Sequence, residues 1–278
     1  MTDSYLAVAD ARRAAVLAAT DSPFTIEVRF QGGLTERQQA AFTAAADRWA
    51  RVIVGDLPPV QIGSETIDDV RILAEGATVD GPGKVLGQAG PTHLRPAAAG
   101  VAAMLPAQGS MTFDTADLAA MEADGTLDDV ITHEMGHVLG IGTIWDRKDV
   151  LVGAGTADPT FTGAGAMAEY ATLTGKAAVA VPVENIGGPG TAGGHWRESV
   201  FGNELMSGFI AAPGNPLSRV TTASLADLGY QVDLAAAEPY TLPVPAPVGS
   251  GSVRSGHGGL GRMLPREPVV LPAGSLRG

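Results

Sequence analysis

His133-Glu134-Met135-Gly136-His137 reads H-E-x-x-H. On a helix, positions i and i+4 share one face a turn apart. Two imidazoles placed so can both reach one zinc ion, at about 2.0–2.1 Å. Glu134 is one residue round from His133 and falls beside such a metal rather than on it. A carboxylate there can take a proton from a coordinated water. The bland alternative is a pair of surface histidines on an ordinary helix. The surroundings favour the first reading. Thr126 and Asp129 read as an N-terminal cap, and Ile131, Met135, Val138 and Leu139 offer an apolar face. Gly140 and Gly142 let the chain turn away after the second histidine.

A catalytic zinc normally has three protein ligands and one open position. The compact pattern that adds a third histidine six residues after the second is broken here: Gly140 fits it, but position 143 is Thr. Three other histidines remain. His257 lies in a Gly/Ser stretch that would not hold it, and His93, between Thr92 and Leu94, reads as structural or at most as a border of the cleft. His195 stands in Gly193-Gly194-His195-Trp196-Arg197-Glu198, and Met206 follows eleven residues later in Glu204-Leu205-Met206-Ser207-Gly208. Glu169, Glu184 and Asp146 are rival third ligands, the two glutamates of the gluzincin type. By itself Met206 reads as core filler, and His195 as a surface loop histidine.

Together these pieces resemble the leishmanolysin-like branch of the metzincins. The features are H-E-x-x-H-x-x-G at 133–140, a long insertion, His195, and a methionine eleven residues on. The segment from Leu217 to Tyr230 resembles the family's closing helix with its Gly-aromatic end. The likeness spans about residues 24–235. It implies an α+β fold: a twisted mixed sheet with a backing helix and an active-site helix, then an irregular C-terminal subdomain with a final helix. It implies one catalytic zinc held by His133, His137 and His195, with Glu134 as general base in peptide-bond hydrolysis. Met206 would form the turn beneath the ligands, Gly208 would let the chain reverse after it and Gly140 would let the chain leave the active-site helix, and an extended peptide or protein substrate would pair with the strand Ser110–Phe113. The chain departs from the family's disulfide-rich, membrane-anchored members: it has no cysteine and shows neither signal nor anchor. No tyrosine follows Met206 at two residues (Phe209 stands three on), so no residue besides the metal is assigned to the oxyanion. The alternatives are a non-catalytic zinc-stabilised binding or adhesion module, a gluzincin-type hydrolase, and a zinc hydrolase of non-peptide amides. An intact Glu134 argues against the first.

The positioning elements follow from patterning. Phe24 to Phe30 alternates apolar and polar, a half-buried strand. Thr35-Glu36-Arg37-Gln38 is a capping box that opens a helix over 35–54, with Phe42, Ala45, Ala46, Trp49, Val52 and Ile53 on one face. Val70–Ala74 and Lys84–Ala89 read as strands about a turn at Asp80–Gly83. Val101–Leu105 and Ser110–Phe113 read as another strand or broken hairpin. The active-site helix runs from Thr126 to about Leu139, and a last helix from Ser218 to Leu228 stops at Gly229. This divides the chain into an N-terminal segment 1–23, a catalytic subdomain 24–142, a subdomain 143–237 and a Pro/Gly-rich tail 238–278 expected to pack little.

Composition bounds the rest. With 278 residues, 45% of them hydrophobic, the chain can bury a real core. A net charge of −12 and no basic patch make nucleic acid an unsuitable partner. No apolar run is long enough to span a membrane. Zero cysteines exclude disulfides, thiolate metal sites and a cysteine nucleophile. Residues 1–20 lack the form of a Sec signal; the resemblance favours a secreted protein, and a cytoplasmic one stays open. Asp68, Asp69 and Asp80 offer oxygen ligands for a structural calcium, without a recognisable loop.

Overall fold

The computed structural model describes residues 3–79, 81, 87–188, 190–210, 212–243, 262–263 and 267–277. Strand β1 (Ser4–Val8) and helix α1 (Ala11–Leu17) occupy a stretch where the sequence pattern gives no element. Leu6 and Val8 are 54% and 52% exposed while Ala7 is buried, so apolar residues on both faces hide the strand period. Strand β2 (Thr25–Gly32) follows the expected alternation, with Ile26, Val28 and Phe30 turned inward. The capping box at Thr35 is formed, and helix α2 (Glu36–Val52) buries Phe42, Ala45, Ala46 and Trp49.

A hairpin of β3 (Val60–Ile62) and β4 (Glu65–Ile67) leads to β5 (Val70–Ala77), β6 (Gly87–Leu94) and β7 (Pro106–Asp114). The main sheet runs β1-β2-β5-β7-β6. Strands β2, β5 and β7 are parallel, whereas β1 and β6 pair antiparallel to their neighbours, which makes the sheet mixed. Two expectations fail here. Ala97–Ala102 is a 3-10 helix rather than part of a strand, and the left-handed φ of Gly100 (63°) and Met104 (64°) breaks any extended run through Val101–Leu105. Ser110–Phe113 lies inside β7, bonded to β5 on one side and β6 on the other, so it offers no free edge to a substrate.

Helix α3 (Thr115–Asp124), not foreseen in the sequence, is capped by Asp114 and ends at left-handed Gly125. Helix α4 (Leu127–Val138) carries the H-E-x-x-H residues. It packs beside α2 on the same sheet face, with α2 over β1 and β2 and α4 over β6 and β7. Contact is close because β7 has glycine at 109, where a Cβ would stand 2.4 Å from Val138 Cγ1. Phe42 meets both Phe30 and Phe113 edge-on, at 6.2 and 5.9 Å.

Beyond Gly142 the chain hides short elements: β8 (Leu151–Val152), β9 (Thr160–Phe161), α5 (Ala164–Thr174), β10 (Val181–Pro182), α6 (Glu198–Phe201) and α7 (Arg219–Leu228). Strands β8, β9 and β10 make a small antiparallel sheet. Helix α7 is capped as expected, by Ser218 and Gly229. The described residues of the tail pack more than expected. Glu238 accepts from Arg48 and from the Leu217 N–H, and Leu271 is buried. Two-residue strands β11 (Arg262–Met263) and β12 (Val269–Val270) pair with the outer edge of β6. Asp80 and His257 lie outside the described residues, and among those described no helix is long and apolar enough to cross a membrane.

The cap of α4 is not the expected one. Thr126 makes no side-chain cap and donates instead to Asp124, in an exposed turn. Asp129 is buried and accepts from the N–H groups of Gly214 (2.6 Å) and Asn215 (3.2 Å), the Asn215 amide (3.0 Å) and Arg48 (3.3 Å). Asp129→Ala orphans these donors and is expected to cost about 2–4 kcal/mol in urea unfolding followed by circular dichroism. Thr126→Ala should stay within about 0.5 kcal/mol of wild type in the same measurement.

Candidate metal centre

His133 and His137 are fully buried one turn apart on α4, with ring centroids 4.8 Å apart. Gly140 (φ 109°) and Gly142 (φ 73°) then turn the chain off the helix, as the sequence suggests. Gly142 has a second role. A Cβ there would lie 2.0 Å from the carbonyl oxygen of Gly194, so only glycine admits the segment that carries His195.

That segment is fixed from two sides. Its Val183–Trp196 bridge is flanked by backbone bonds between Glu184 and both His195 and Gly193, each 2.8 Å. The Trp196 N–H also donates to the Met206 carbonyl at 3.0 Å. His195 Nε2 therefore lies 3.1 Å from that of His133 and 2.9 Å from that of His137, and the His133–His137 separation is 3.0 Å.

The tautomers follow from the partners. His133 Nδ1 is 2.6 Å from the Leu205 carbonyl, His137 Nδ1 is 2.8 Å from that of Ile141, and His195 Nδ1 is 2.9 Å from that of Thr191. A carbonyl only accepts, so each Nδ1 carries the proton and donates. Burial and mutual proximity keep the rings neutral. His133 is held well below the usual histidine range, by burial first and then by its two neighbours. Burial is also the main cause that lowers His137 to about 3 and His195 to about 4. Three Nε2 lone pairs thus converge in a buried site with no proton among them. Their separations leave a point about 2.0–2.1 Å from all three, the bond length zinc takes with histidine. The donor set fits a metal ion, and the carbonyl acceptors are the outer partners that usually orient such ligands.

Around this triad the other predicted residues sort plainly. Glu134 is fully buried on α4 between the two histidines in sequence. Met206 is buried too; a Cβ at Gly136 would stand 2.8 Å from its sulfur and 2.9 Å from Trp49 Cζ2, so the thioether and the indole fill the groove on α4 between the histidines. Gly208 has no left-handed φ. What it provides is close approach, since a Cβ would lie 3.2 Å from Glu184 Oε2. The rivals are engaged elsewhere. Glu184 accepts from the N–H groups of Asn185, Ile186 and Glu198, Glu169 pairs with Arg219, and Asp146 is exposed. His93 sits on β6 outside the triad. Asp56, Asp68 and Asp69 also gather, but both oxygens of Asp69 already accept from Thr25 and Leu57. The buried Arg95 guanidinium donates to the Asp68 and Asp69 carbonyls from beneath.

Sequence reasoning missed Glu204. It is fully buried and accepts from the Met206 N–H (2.6 Å), the Ser218 N–H and hydroxyl (3.1 and 2.7 Å) and the Thr221 hydroxyl. It ties the 204–206 turn to the start of α7, and that turn presents the Leu205 carbonyl to His133. An S-x-x-T pair opening a helix is its only trace in the sequence. A cleft of about 360 Å³ opens over Gly142, which follows the α4 histidines, and Gly193, two residues before His195; Gly90, Pro91, Thr143, Arg147 and Glu267 are also among its walls, and the three histidines themselves are not.

Such a centre, on such a sheet and helix, can hold a metal ion. The leishmanolysin family model matches residues 101–244, more than half of the chain and the part that holds the triad, Glu134 and Met206, and the chain belongs to that family. It is therefore a metallopeptidase. No curated protein matches it.

Gly142→Ala forces a side chain into a left-handed backbone and against the Gly194 carbonyl. The expected result is a folded protein whose metal affinity is at least about tenfold weaker, because an outer support of the site is displaced. Competition with a chromophoric chelator measures it.

Proposed function

We propose that the chain is a zinc-dependent endopeptidase. The observation that carries the proposal is the convergence of three neutral, buried Nε2 atoms within 2.9–3.1 Å of one another. His133, His137 and His195 would hold the metal. A zinc ion with three neutral ligands keeps its full charge and supplies Lewis acidity toward a water and a peptide carbonyl.

The remaining work falls to residues of this chain. Glu134 is the general base: its carboxylate takes the proton of the attacking water and returns it to the leaving amine nitrogen. Burial beside the triad keeps that carboxylate away from bulk solvent. Met206 packs the helix groove at Gly136 and steadies the turn whose Leu205 carbonyl holds the His133 ring. Gly140 frees the chain to leave α4, and Gly208 admits the Glu184 carboxylate that organises the His195 hairpin. The substrate is a peptide or protein chain.

A binding or adhesion module of the same fold would need the histidines but not Glu134, which separates the two readings. Glu134→Gln should keep its zinc and its thermal midpoint, while casein or peptide hydrolysis falls by about 10²–10⁴-fold, the usual worth of general-base help. Unchanged turnover would remove Glu134 from the reaction. His195→Ala should lose most of its zinc in metal analysis, since one of three protein donors is gone. Near-wild-type zinc content would place the third ligand elsewhere.

A further inference from the structure

Strand β6 is the outermost long strand beside the cleft, and its free edge is not empty. Arg262 and Met263 pair with Gln88 and Ala89, and Val269 and Val270 pair with His93 and Leu94. Between these two contacts lie Gly90 and Pro91, which form the β6 side of the cleft. Glu267 and Pro268 line the same cleft, and the Glu267 carboxylate is ion-paired with Arg147 on the wall. Among the described lining residues Arg147 is the sole cation; Asp146 is the other charged side chain of the chain body there.

The two partners of this pair are held differently. The Arg147 side chain is 27% exposed and belongs to the turn after α4, whereas that of Glu267 is 86% exposed. Val269 and Val270 are exposed as well. Firm anchoring begins one residue later, where the Leu271 N–H donates to Leu94 at 2.9 Å and the Leu271 side chain packs with Val60, Ile67 and Ala107. Residues 267–270 are thus held by one exposed ion pair and a two-residue ladder, with no buried side chain, in front of the Leu271 anchor. Their release would uncover the β6 edge at His93 and Leu94, next to Gly90 and Pro91, and leave Arg147 without the Glu267 carboxylate. An exposed edge adds an extended peptide readily.

We propose that residues 267–270 are an intramolecular occupant of the substrate cleft. The substrate that displaces them is an extended peptide with a carboxylate side chain, which takes the place of Glu267 on Arg147. This rests on the peptidase reading above.

The test uses the full-length, zinc-loaded chain and paired fluorogenic peptides that differ only in Glu, Gln or Lys at one position. Glu267→Gln should lower KM for the Gln peptide by about two- to fivefold, the worth of an exposed ion pair, with the effect in KM and not in kcat. The wild type should favour the Glu peptide over the Gln peptide. The double exchange Glu267→Arg with Arg147→Glu re-forms the pair with reversed sign. It should restore the wild-type KM for the Gln peptide and turn the preference to Lys. Hydrogen exchange should quicken at Val269 and Val270 in Glu267→Gln while Leu271 stays protected, which shows that the chain is otherwise intact. Turnover with an unmoved KM in Glu267→Gln would overturn the occupant. A preference for Glu that survives Arg147→Gln would overturn the assignment of Arg147. No turnover by any variant, wild type included, would overturn the peptidase reading itself.

Discussion

Three ring nitrogens with their lone pairs turned toward one point repel one another unless a cation lies between them. Holding them so is the constraint on which the rest of the chain depends. Each ring is aimed by its own Nδ1–H, and each acceptor is a main-chain carbonyl from a different place: Ile141 just past α4, Thr191 before His195, and Leu205 in the turn before Met206. A backbone carbonyl cannot rotate away or ionise, so it fixes orientation better than a long side chain would. The cost moves to the segments that must present those carbonyls.

Buried carboxylates meet that cost. Asp129, Glu184 and Glu204 each accept several N–H or hydroxyl donors from irregular chain after Gly142. Segments without a ladder of their own need such acceptors, because a buried N–H left alone is expensive. Burial pushes Glu204 up from the usual carboxylate range, against the pull of its four donors. Part of the chain's acidity is therefore internal scaffolding and not surface charge.

The sequence shows best those features that local periodicity or a fixed spacing dictates. The H-E-x-x-H turn, the capping box at Thr35, the alternation of β2 and the Ser218–Gly229 helix can all be read from neighbouring residues. Spacing and the family likeness single out His195, which the fold brings to His133 and His137, and Met206, which it buries against Gly136. What escaped depends on contacts distant in the chain. Thr126 looks like a cap, yet Asp129 is engaged across 85 residues of chain with Gly214. Gly142 looks like a helix stop, and its closer purpose is contact with Gly194. Strand β7 has the same local pattern whether it is an edge or an interior strand; only the fold of β6 beside it decides. Carbonyl acceptors carry no residue signal at all.

The aromatic packing has an optical consequence. The chain's three tryptophans are all fully buried, and all adjoin the histidine-bearing segments. Trp49 donates its indole N–H to the Thr132 carbonyl, next to His133; Trp196 follows His195; and Trp145 lies 4.9 Å from Trp196. Nothing elsewhere in the chain contributes indole emission. The intrinsic fluorescence of this protein is accordingly a local signal, and a paramagnetic or absorbing ion at the triad would quench the whole of it by proximity, with no label attached.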